Sequence, residues 1–458
     1  MENINEIDSV LEKGMQKKGL SLEDAAILLN AAAPESVQKI FTSAAQIKQD
    51  IYGERLVLFA PLYISDFCVN DCAYCNFHVS NLAHPRRRLS MEEITEETKC
   101  LIDMGHKRVL VEFGEDLDHS DIGYVCDAIR AIYSAKTTKG NIRRVNVNIA
   151  ATTTENYRRL KKENIGTYQL FQETYHRPTF EAVHKGPKAD YDRQITAIDR
   201  AFEAGLDDLG IGVLFGLYDW RFEVMALISH AQYMEKTFGV GPHTISVPRF
   251  QRASTVTYES KHLVNDDDFL KLIAILRIAV PYAGMILTTR ESPELRSRAF
   301  KIGISQASAA SVCVPGGYNN SPSPLPVRRS FGGRGEGRGE GDNAGQFEIA
   351  DTRPVNEVIK SILADGLIPS FCTACYRVGR TGDKFMELAR PGEIHNFCRP
   401  NALLTFAEYL EDYGDRELHG KGHALIERYL SEISDLNIRE QTKKRLADIK
   451  QGRRDIYF

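Results

Sequence analysis

The sequence predicts an α/β protein organised around a closed (β/α)8 barrel of the TIM type, with one helical segment before it and another after it. From residue 56 onward, short apolar runs alternate with longer amphipathic runs, which is typical of parallel strands joined by helices. Eight strand-like runs occur, the number in a closed barrel: 56–64, 108–115, 145–150, 167–174, 209–216, 244–249, 284–290 and 301–308. The barrel is therefore expected over residues 55–310.

The segments that flank the barrel have different characters. Residues 1–54 include Ser21 as an N-cap, followed by apolar residues at helical spacing, and predict a helical extension. Residues 346–458 also read as helical. Between the barrel and this last section, residues 311–345 are rich in Ser, Pro, Gly and Arg and predict a flexible connector. Its interleaved glutamates offset the arginines, which argues against a nucleic-acid-binding repeat.

The composition is that of an ordinary enzyme. The 458 residues are 43% apolar and 26% charged, with a net charge of −4, so nucleic acid is not expected as a partner. No apolar run approaches the roughly 20 residues of a membrane span, and the first residues do not form a signal peptide. Six of the nine cysteines fall in two tight groups, which favours metal sites in a reducing cytoplasm over disulfides.

The first cysteine group, Cys68, Cys72 and Cys75, has the spacing C-x3-C-x2-C and directly follows the first predicted strand. A cubane iron–sulfur cluster normally takes four cysteine ligands, so three thiolates leave one iron open to another ligand. Zinc is the alternative, but it prefers four closed ligands, typically in C-x2-C pairs. We therefore predict a 4Fe–4S cluster held by these three cysteines.

This loop resembles that of the radical S-adenosylmethionine (SAM) enzymes. The resemblance implies that the open iron chelates the amino and carboxylate groups of SAM. It also implies that an electron from the cluster splits the sulfonium to give a 5′-deoxyadenosyl radical. The three cysteines are accordingly the predicted catalytic and metal-binding residues.

The ends of the next strands supply candidate residues for binding SAM, because active sites of such barrels lie at the C-terminal ends of the strands. Gly114 would let a backbone approach closely, and Glu115 is a candidate acceptor for the SAM ammonium. Asn148 and Glu173 are polar residues at the ends of the third and fourth strands. For each of them, satisfaction of loop backbone groups is the competing interpretation.

Arg290 ends the seventh predicted strand and is a candidate clamp for a substrate carboxylate, since guanidinium groups match carboxylates bidentately. A salt bridge with Glu291 or Glu294 at the barrel rim is the alternative.

The second cysteine group consists of Cys372, Cys375 and, further along, Cys398. It again offers three ligands. A second cubane cluster is favoured over zinc, which would need a fourth ligand; the nearest candidate is His395.

The chain as a whole resembles the HydG family, radical SAM tyrosine lyases that help to mature diiron hydrogenases. The likeness runs from LSLEDAA at 20–26 to PNALL at 400–404. Its most specific pieces are QETYHRPT at 172–179, GPHTISVPR at 241–249, QFEIAD at 346–351 and FCTACYR at 371–377. The related 2-iminoacetate synthases resemble the barrel but lack the second cysteine group, which therefore discriminates between the two.

The resemblance implies a two-stage reaction. Hydrogen is abstracted from the amino group of L-tyrosine, and the Cα–Cβ bond breaks to give p-cresol and dehydroglycine. The glycine-derived fragment then becomes carbon monoxide and cyanide at the second cluster. There an additional iron, held by a free cysteine and a protein histidine, collects both into an iron–carbonyl–cyanide synthon. An electron donor of the ferredoxin or flavodoxin type and other hydrogenase maturases are the implied partners.

The family's iron-binding histidine corresponds to His243. It precedes the sixth predicted strand, so it should lie at the N-terminal mouth of the barrel, opposite the SAM cluster. The second cluster must then dock against that mouth, with the barrel bore as the route between the sites.

Two positions depart from the family pattern. Asn76 stands where glycine is usual, and Cys313, a buried thiol or an extra ligand, stands in a stretch that normally lacks cysteine. Three alternatives to the leading function follow. They are a lyase of the 2-iminoacetate synthase type, a lyase of another aromatic amino acid, and a non-catalytic iron–sulfur scaffold or carrier.

Overall fold

The computed structural model describes residues 3–253, 255–320 and 345–458. Its centre is a closed barrel of eight parallel strands, in which each strand pairs with the next and β8 returns to β1. The strands are β1 (Arg55–Ser65), β2 (Arg108–Phe113), β3 (Arg144–Asn148), β4 (Tyr168–Gln169), β5 (Leu209–Gly212), β6 (Thr244–Ser246), β7 (Gly284–Leu287) and β8 (Gln306–Ser308). The predicted barrel is confirmed. Positions 321–344 of the predicted connector lie outside the described residues.

Most strands end earlier than the sequence pattern predicts. The fourth was expected over 167–174, but β4 contains only two residues. Beyond it the backbone still pairs with the β5 chain, since Leu170 donates to the Gly210 carbonyl and Gln172 to the Gly212 carbonyl. This pairing is less regular, and Glu173 adopts a left-handed conformation with φ of 66°. The eighth was expected from 301, but that position belongs to the preceding helix. Apolar residues continue into the loops because those loops are buried too, so periodicity alone cannot place the strand ends.

Three helices precede the barrel: α1 (Ile4–Gly14), α2 (Leu22–Asn30) and α3 (Pro34–Tyr52). Ser21 caps α2 by accepting a hydrogen bond from the Asp24 backbone nitrogen at 3.1 Å, as expected from its type. Lys48 of α3 is buried and donates to the Phe300 carbonyl at 2.8 Å. The extension therefore packs against the outer face of the barrel.

The helices that surround the barrel vary in length. They are α4 (Met91–Asp103), α5 (Ile122–Ser134), α6 (Thr154–Lys162), α7 (Arg177–Val183), α8 (Tyr191–Ile195), α9 (Ala197–Glu203), α10 (Trp220–Phe238), α11 (Asp266–Ala279), α12 (Pro293–Ile302) and α13 (Gly317–Asn320). A 3-10 turn (Pro187–Ala189) and a small antiparallel hairpin (Lys136–Thr137 with Gly140–Asn141) interrupt this series. Among the described residues, no helix has the length and apolar character needed to cross a membrane.

The last section is helical, as predicted, but it also contributes a strand that the sequence pattern did not reveal. Its helices are α14 (Val355–Ala364), α15 (Ala374–Arg377), α16 (Gly382–Ala389), α17 (His395–Tyr413), α18 (Arg416–Ser431) and α19 (Leu436–Lys450). Strand β9 (Ile368–Ser370) pairs with the first residues of β1, where Arg55 lies opposite Ile368. This pairing fixes the last section at the N-terminal mouth of the barrel.

Side chains alternate between two environments along β1. Leu56, Leu58 and Ala60 belong to the large core between the barrel and its helices. Phe59 instead packs with Leu110 and Ile286 in a separate small cluster. Because successive side chains of a strand point to opposite faces, this second cluster lies inside the barrel.

Candidate active site

The loop that follows β1 brings Cys68, Cys72 and Cys75 to the C-terminal mouth of the barrel, where all three line one cavity. Backbone hydrogen bonds fix the loop on both sides. The Val69 amide donates to the Glu115 carbonyl at 2.8 Å, and the Ala73 amide donates to the Val183 carbonyl at 2.9 Å. Burial raises the pKa of the Cys75 thiol to about 11 and also raises that of Cys72. Such thiols ionise when a metal binds, so three convergent sulfurs fit a cluster with one open iron.

Gly114 lies beneath this loop. A Cβ at this position would be 2.2 Å from the Phe67 carbonyl oxygen and 3.2 Å from the Cys68 Cβ. The glycine is therefore explained by close packing against the cysteine loop itself. The close backbone approach expected at this position is made by the cysteine loop, and the predicted role of Gly114 in binding SAM stays a prediction.

Glu115 also lines the cavity, but it has two protein partners. One carboxylate oxygen lies 2.5 Å from Arg193 Nη2, and the other accepts a hydrogen bond from Asn70 Nδ2 at 2.7 Å. Its predicted contact with the SAM ammonium stays a prediction, and these partners fix the position of the carboxylate.

The other two predicted SAM residues, Asn148 and Glu173, face the same cavity. Asn148 lies beside Glu112, a buried carboxyl whose pKa is raised to about 8 by burial. Glu173 accepts from Lys188 Nζ at 2.7 Å. Although burial disfavours the ammonium, the Glu173 carboxylate raises the pKa of Lys188. Sequence reasoning missed Lys188 because its turn carries no periodic signal.

Arg290 lines an adjoining cavity and is partly buried, with its guanidinium carbon 3.3 Å from the centre of the Phe347 ring. In the part of the chain that the structure describes, its Nε has no hydrogen-bond partner, and it forms no ion pair with Glu291 or Glu294. Glu291 pairs instead with Arg249. The alternative interpretation, a rim salt bridge, is therefore wrong, and the guanidinium keeps its capacity to bind an anion.

The two departures from the family pattern lie close to this cavity. Cys313 lines it and packs with Tyr63 and Phe77, and burial raises the pKa of its thiol to about 12. Asn76 donates to the Gly345 carbonyl at 2.9 Å, which links the cysteine loop to the last residue of the connector.

A second cavity lies at the N-terminal mouth of the barrel. Its lining includes Cys372, Cys375 and Cys398 from the last section together with His243, which directly precedes β6. Since β1 runs from Arg55 to Ser65, the two mouths are roughly 30 Å apart along that strand. The structure thus brings together four predicted ligands from distant parts of the sequence, far from the first cysteine group.

A carboxylate that sequence reasoning missed lies beside His243. Its Nδ1 lies 3.5 Å from a carboxylate oxygen of Asp208, which directly precedes β5. Burial lowers the pKa of His243, so its imidazole is neutral, the form that binds metals. A carboxylate beside a ligating histidine is the usual arrangement around protein-bound metals.

The zinc alternative required His395 as a fourth ligand. This histidine is not among the described residues that line the second cavity; it packs against Gly53, where a Cβ would lie 2.9 Å from its ring. Arg55 lines the cavity instead. Although burial disfavours its cation, the neighbouring Cys398 and Cys372 thiolates raise the pKa of Arg55. Three cysteine thiols beside the Arg55 cation fit an iron–sulfur cluster that carries negative charge.

Comparison with known proteins agrees with this geometry. The radical SAM superfamily model matches residues 62–227, and the biotin and thiamin synthesis associated domain matches residues 246–368. A crystal structure of HydG, described as a maturase of the FeFe-hydrogenase, is 49% identical. The match covers 100% of this chain and 96% of that one with a TM-score of 0.93. The chain belongs to the HydG family.

Two further relatives support this assignment. The FeFe-hydrogenase maturase HydG from Carboxydothermus hydrogenoformans is 39% identical over 96% of this chain and 94% of that one, with a TM-score of 0.81. The 2-iminoacetate synthase of Salmonella typhimurium is 28% identical over 78% of this chain and 89% of that protein. This HydG-family chain is a radical SAM tyrosine lyase that uses a 4Fe–4S cluster and SAM, which confirms the predicted resemblance and enzyme class.

Gly114→Ala should damage the first site selectively. The added methyl group would collide with the Phe67 carbonyl, so we expect a loss of about 1–3 kcal/mol in unfolding free energy and less iron at the first cluster. Gly420→Ala is the matched control. It lies on α18 with nothing within 4 Å of an added Cβ, and it should be neutral or stabilising by up to about 1 kcal/mol. Thermal unfolding and iron analysis measure both effects, and equal behaviour of the two variants would contradict the packing argument.

Proposed function

We propose that this chain performs both stages of the chemistry implied by its resemblance. Tyrosine is cleaved to p-cresol and dehydroglycine at the C-terminal mouth of the barrel. The glycine-derived fragment is converted to carbon monoxide and cyanide at the N-terminal mouth, for an iron synthon used in hydrogenase maturation. The observation that carries this proposal is the cavity shared by His243 and the three C-terminal cysteines.

At the first site, Cys68, Cys72 and Cys75 would hold the cluster. When bound, this cluster supplies the electron that cleaves SAM to a 5′-deoxyadenosyl radical. Glu173 and Asn148 are proposed to bind polar groups of SAM, since both face the cavity of the cysteine loop. Arg290 is proposed to bind the tyrosine carboxylate. Its partly buried guanidinium, which has no ion-pair partner among the described residues, offers a charged group beside the aromatic ring of Phe347.

At the second site, Cys372, Cys375 and Cys398 would hold a second 4Fe–4S cluster. His243 would bind the additional iron together with a free cysteine supplied from solution. Asp208 is proposed to orient the His243 ring through Nδ1, which leaves Nε2 for the iron. Arg55 would offset the negative charge of the thiolates.

The interior of the barrel is the proposed route between the sites. Phe59, Leu110 and Ile286 line the cavity that contains Arg290. Arg108, two residues before Leu110 on β2, and Gln306, which lies opposite Ile286 on the neighbouring strand, line the second cavity. Arg108 Nη2 donates to Gln306 Oε1 at 2.7 Å at this junction. A water-excluding interior would limit side reactions of small reactive products.

The division of the chain follows from these roles. We propose a helical extension over 1–54, a catalytic barrel over 55–310, a connector over 311–345 and a second iron–sulfur domain over 346–458. The proposed partners are an electron donor of the ferredoxin or flavodoxin type and other hydrogenase maturases. The cysteines that the structure describes are all free, which supports a location in the reducing cytoplasm.

The proposal is tested by incubating the reconstituted protein with SAM, dithionite and tyrosine. We expect 5′-deoxyadenosine, p-cresol, carbon monoxide and cyanide. A lyase that stops after the first stage would give p-cresol without carbon monoxide. An iron–sulfur carrier would give no 5′-deoxyadenosine, and either of these results would contradict the proposal.

His243→Ala should remove the additional iron while both cubane clusters persist. We expect about one iron fewer per chain and a loss of carbon monoxide of 10-fold or more, since loss of metal support commonly costs 10- to 100-fold. His395→Ala is the control, because this histidine does not line the cavity. The zinc interpretation makes the opposite prediction, namely that metal is lost when His395 is replaced.

A further inference from the structure

A cluster of metal-ligating side chains lies outside both sites, where α17 meets α18. It consists of Glu411, His419 and His423, whose ligand atoms all lie within 4.8 Å of one another. The Nε2 atom of His423 is 3.6 Å from a carboxylate oxygen of Glu411. We propose that these three residues bind a divalent first-row transition metal ion, a role separate from both cysteine groups.

The local sequence explains why these side chains converge. His419 and His423 are four residues apart on α18 and therefore lie on one helical face. Glu411 belongs to the last turn of α17, and Asp415 caps α18 by accepting from the Leu418 backbone nitrogen at 2.8 Å. The short connection between the helices is thereby fixed.

Two glycines allow the close approach of the helices. A Cβ at position 422 would lie 2.7 Å from a Leu410 methyl carbon, and a Cβ at position 414 would lie 2.9 Å from His419 Cδ2. His419 is therefore packed against the turn that ends α17. The ligand set is built into this junction and does not depend on long, freely moving side chains.

The donor atoms define the class of metal. Two imidazoles and one carboxylate suit Fe²⁺, Co²⁺, Ni²⁺ or Zn²⁺, whereas Mg²⁺ and Ca²⁺ prefer oxygen ligands. Three protein ligands leave coordination positions open to water. His423 and Glu411 are partly exposed, with 31% and 26% of their side chains accessible, so the ion can exchange with solvent.

Charges of both signs surround the site. The groups that act electrostatically on His423 are the ammonium of Lys450, whose effect is the largest, the carboxylates of Glu411 and Glu427, and His419. Glu411 therefore supplies the negative charge among the three ligands.

The site is distinct from the second cysteine group, although α17 carries residues of both. Cys398 lies in the first turn of this helix and Glu411 near its end. At about 1.5 Å per residue they are roughly 20 Å apart along the axis. An ion at the proposed site therefore cannot share a ligand with a cluster at Cys398, and its presence does not depend on the second stage of the proposed reaction.

The test uses the full chain with its clusters assembled, dialysed against micromolar Zn²⁺ and analysed for zinc per chain. The His419→Gln and His423→Gln double variant should hold one zinc equivalent fewer than wild type. Glu411→Gln should lower the affinity for this zinc ion about 10-fold or more. Lys421→Ala is the matched control. Its side chain lies between the histidines in sequence but pairs with Glu417 at 2.8 Å, so zinc binding should not weaken.

Co²⁺ provides a second readout, because its visible absorption reports imidazole ligation in wild type and should fall in the double variant. Circular dichroism checks that each variant is folded. If the double variant does not fold, the single His423→Gln variant is used, and it should show the same loss of zinc. Zinc content and affinity equal to those of wild type in a folded histidine variant would overturn the proposal.

Discussion

Replacing Cys372 and Cys375 together by alanine should abolish carbon monoxide formation while p-cresol formation stays within about twofold of wild type. The reason is distance: the two cysteines line the N-terminal cavity, and the proposed tyrosine site lies at the other mouth of the barrel. Mutations at separate sites usually act independently. Gas analysis for carbon monoxide and chromatography for p-cresol in one incubation measure both stages.

Cys126→Ala is the control for this experiment. It removes another buried thiol, on α5, which lines neither cavity among the described residues. Both products should be retained. If the double variant lost both products alike, the C-terminal cysteines would have a structural role, and the assignment of separate stages to the two mouths would be wrong.

Arg290→Met should reduce kcat/KM for tyrosine about 100-fold or more. This substitution keeps much of the side-chain volume but removes a charge that lines the cavity and is proposed to bind the substrate carboxylate. Loss of such a charge pair, once the substrate covers it, costs about 2–5 kcal/mol. Arg290→Lys keeps the positive charge but lacks the planar guanidinium that binds a carboxylate bidentately. Its kcat/KM for tyrosine should lie between those of Arg290→Met and wild type. Steady-state kinetics with varied tyrosine measure the effect.

The contrast with SAM cleavage makes this prediction specific. Arg290→Met should still form 5′-deoxyadenosine without tyrosine, because the cysteine loop does not depend on the guanidinium. The exposed Arg298 of α12 is the control, and Arg298→Met should leave kcat/KM unchanged. An unchanged kcat/KM for tyrosine in Arg290→Met would show that the carboxylate binds elsewhere.

Much of the fold was predictable because its signals are local. The cysteine spacing, the Ser21 cap and the apolar runs of the barrel strands each depend on a few neighbouring residues. The position of His243 at the N-terminal mouth also followed from the strand pattern, since the residue that precedes a parallel strand must lie at that end of the barrel. The ends of the strands did not follow, because the buried loops at the cavity are as apolar as the strands.

Residues that act through partners distant in sequence could not be predicted. Lys188 belongs to the first site because its ammonium pairs with the Glu173 carboxylate. Asp208 belongs to the second site because its carboxylate lies beside His243. Strand β9 has only three residues, one of them proline, so its sequence carries no strand signal. It forms because the first residues of β1 extend beyond the part paired with β2 and leave an edge with which β9 pairs. Gly114 was expected to let a backbone approach closely, but the sequence did not show that the approaching group is the Phe67 carbonyl of the cysteine loop.

The most direct test of two separate clusters is electron paramagnetic resonance of the reduced, reconstituted protein with and without SAM. We expect two distinct 4Fe–4S signals, of which only one changes when SAM is added. The unchanged signal should disappear in the variant that lacks Cys372 and Cys375. A single cluster signal, a response of both signals to SAM, or zinc in place of iron at the C-terminal cysteines would contradict the account.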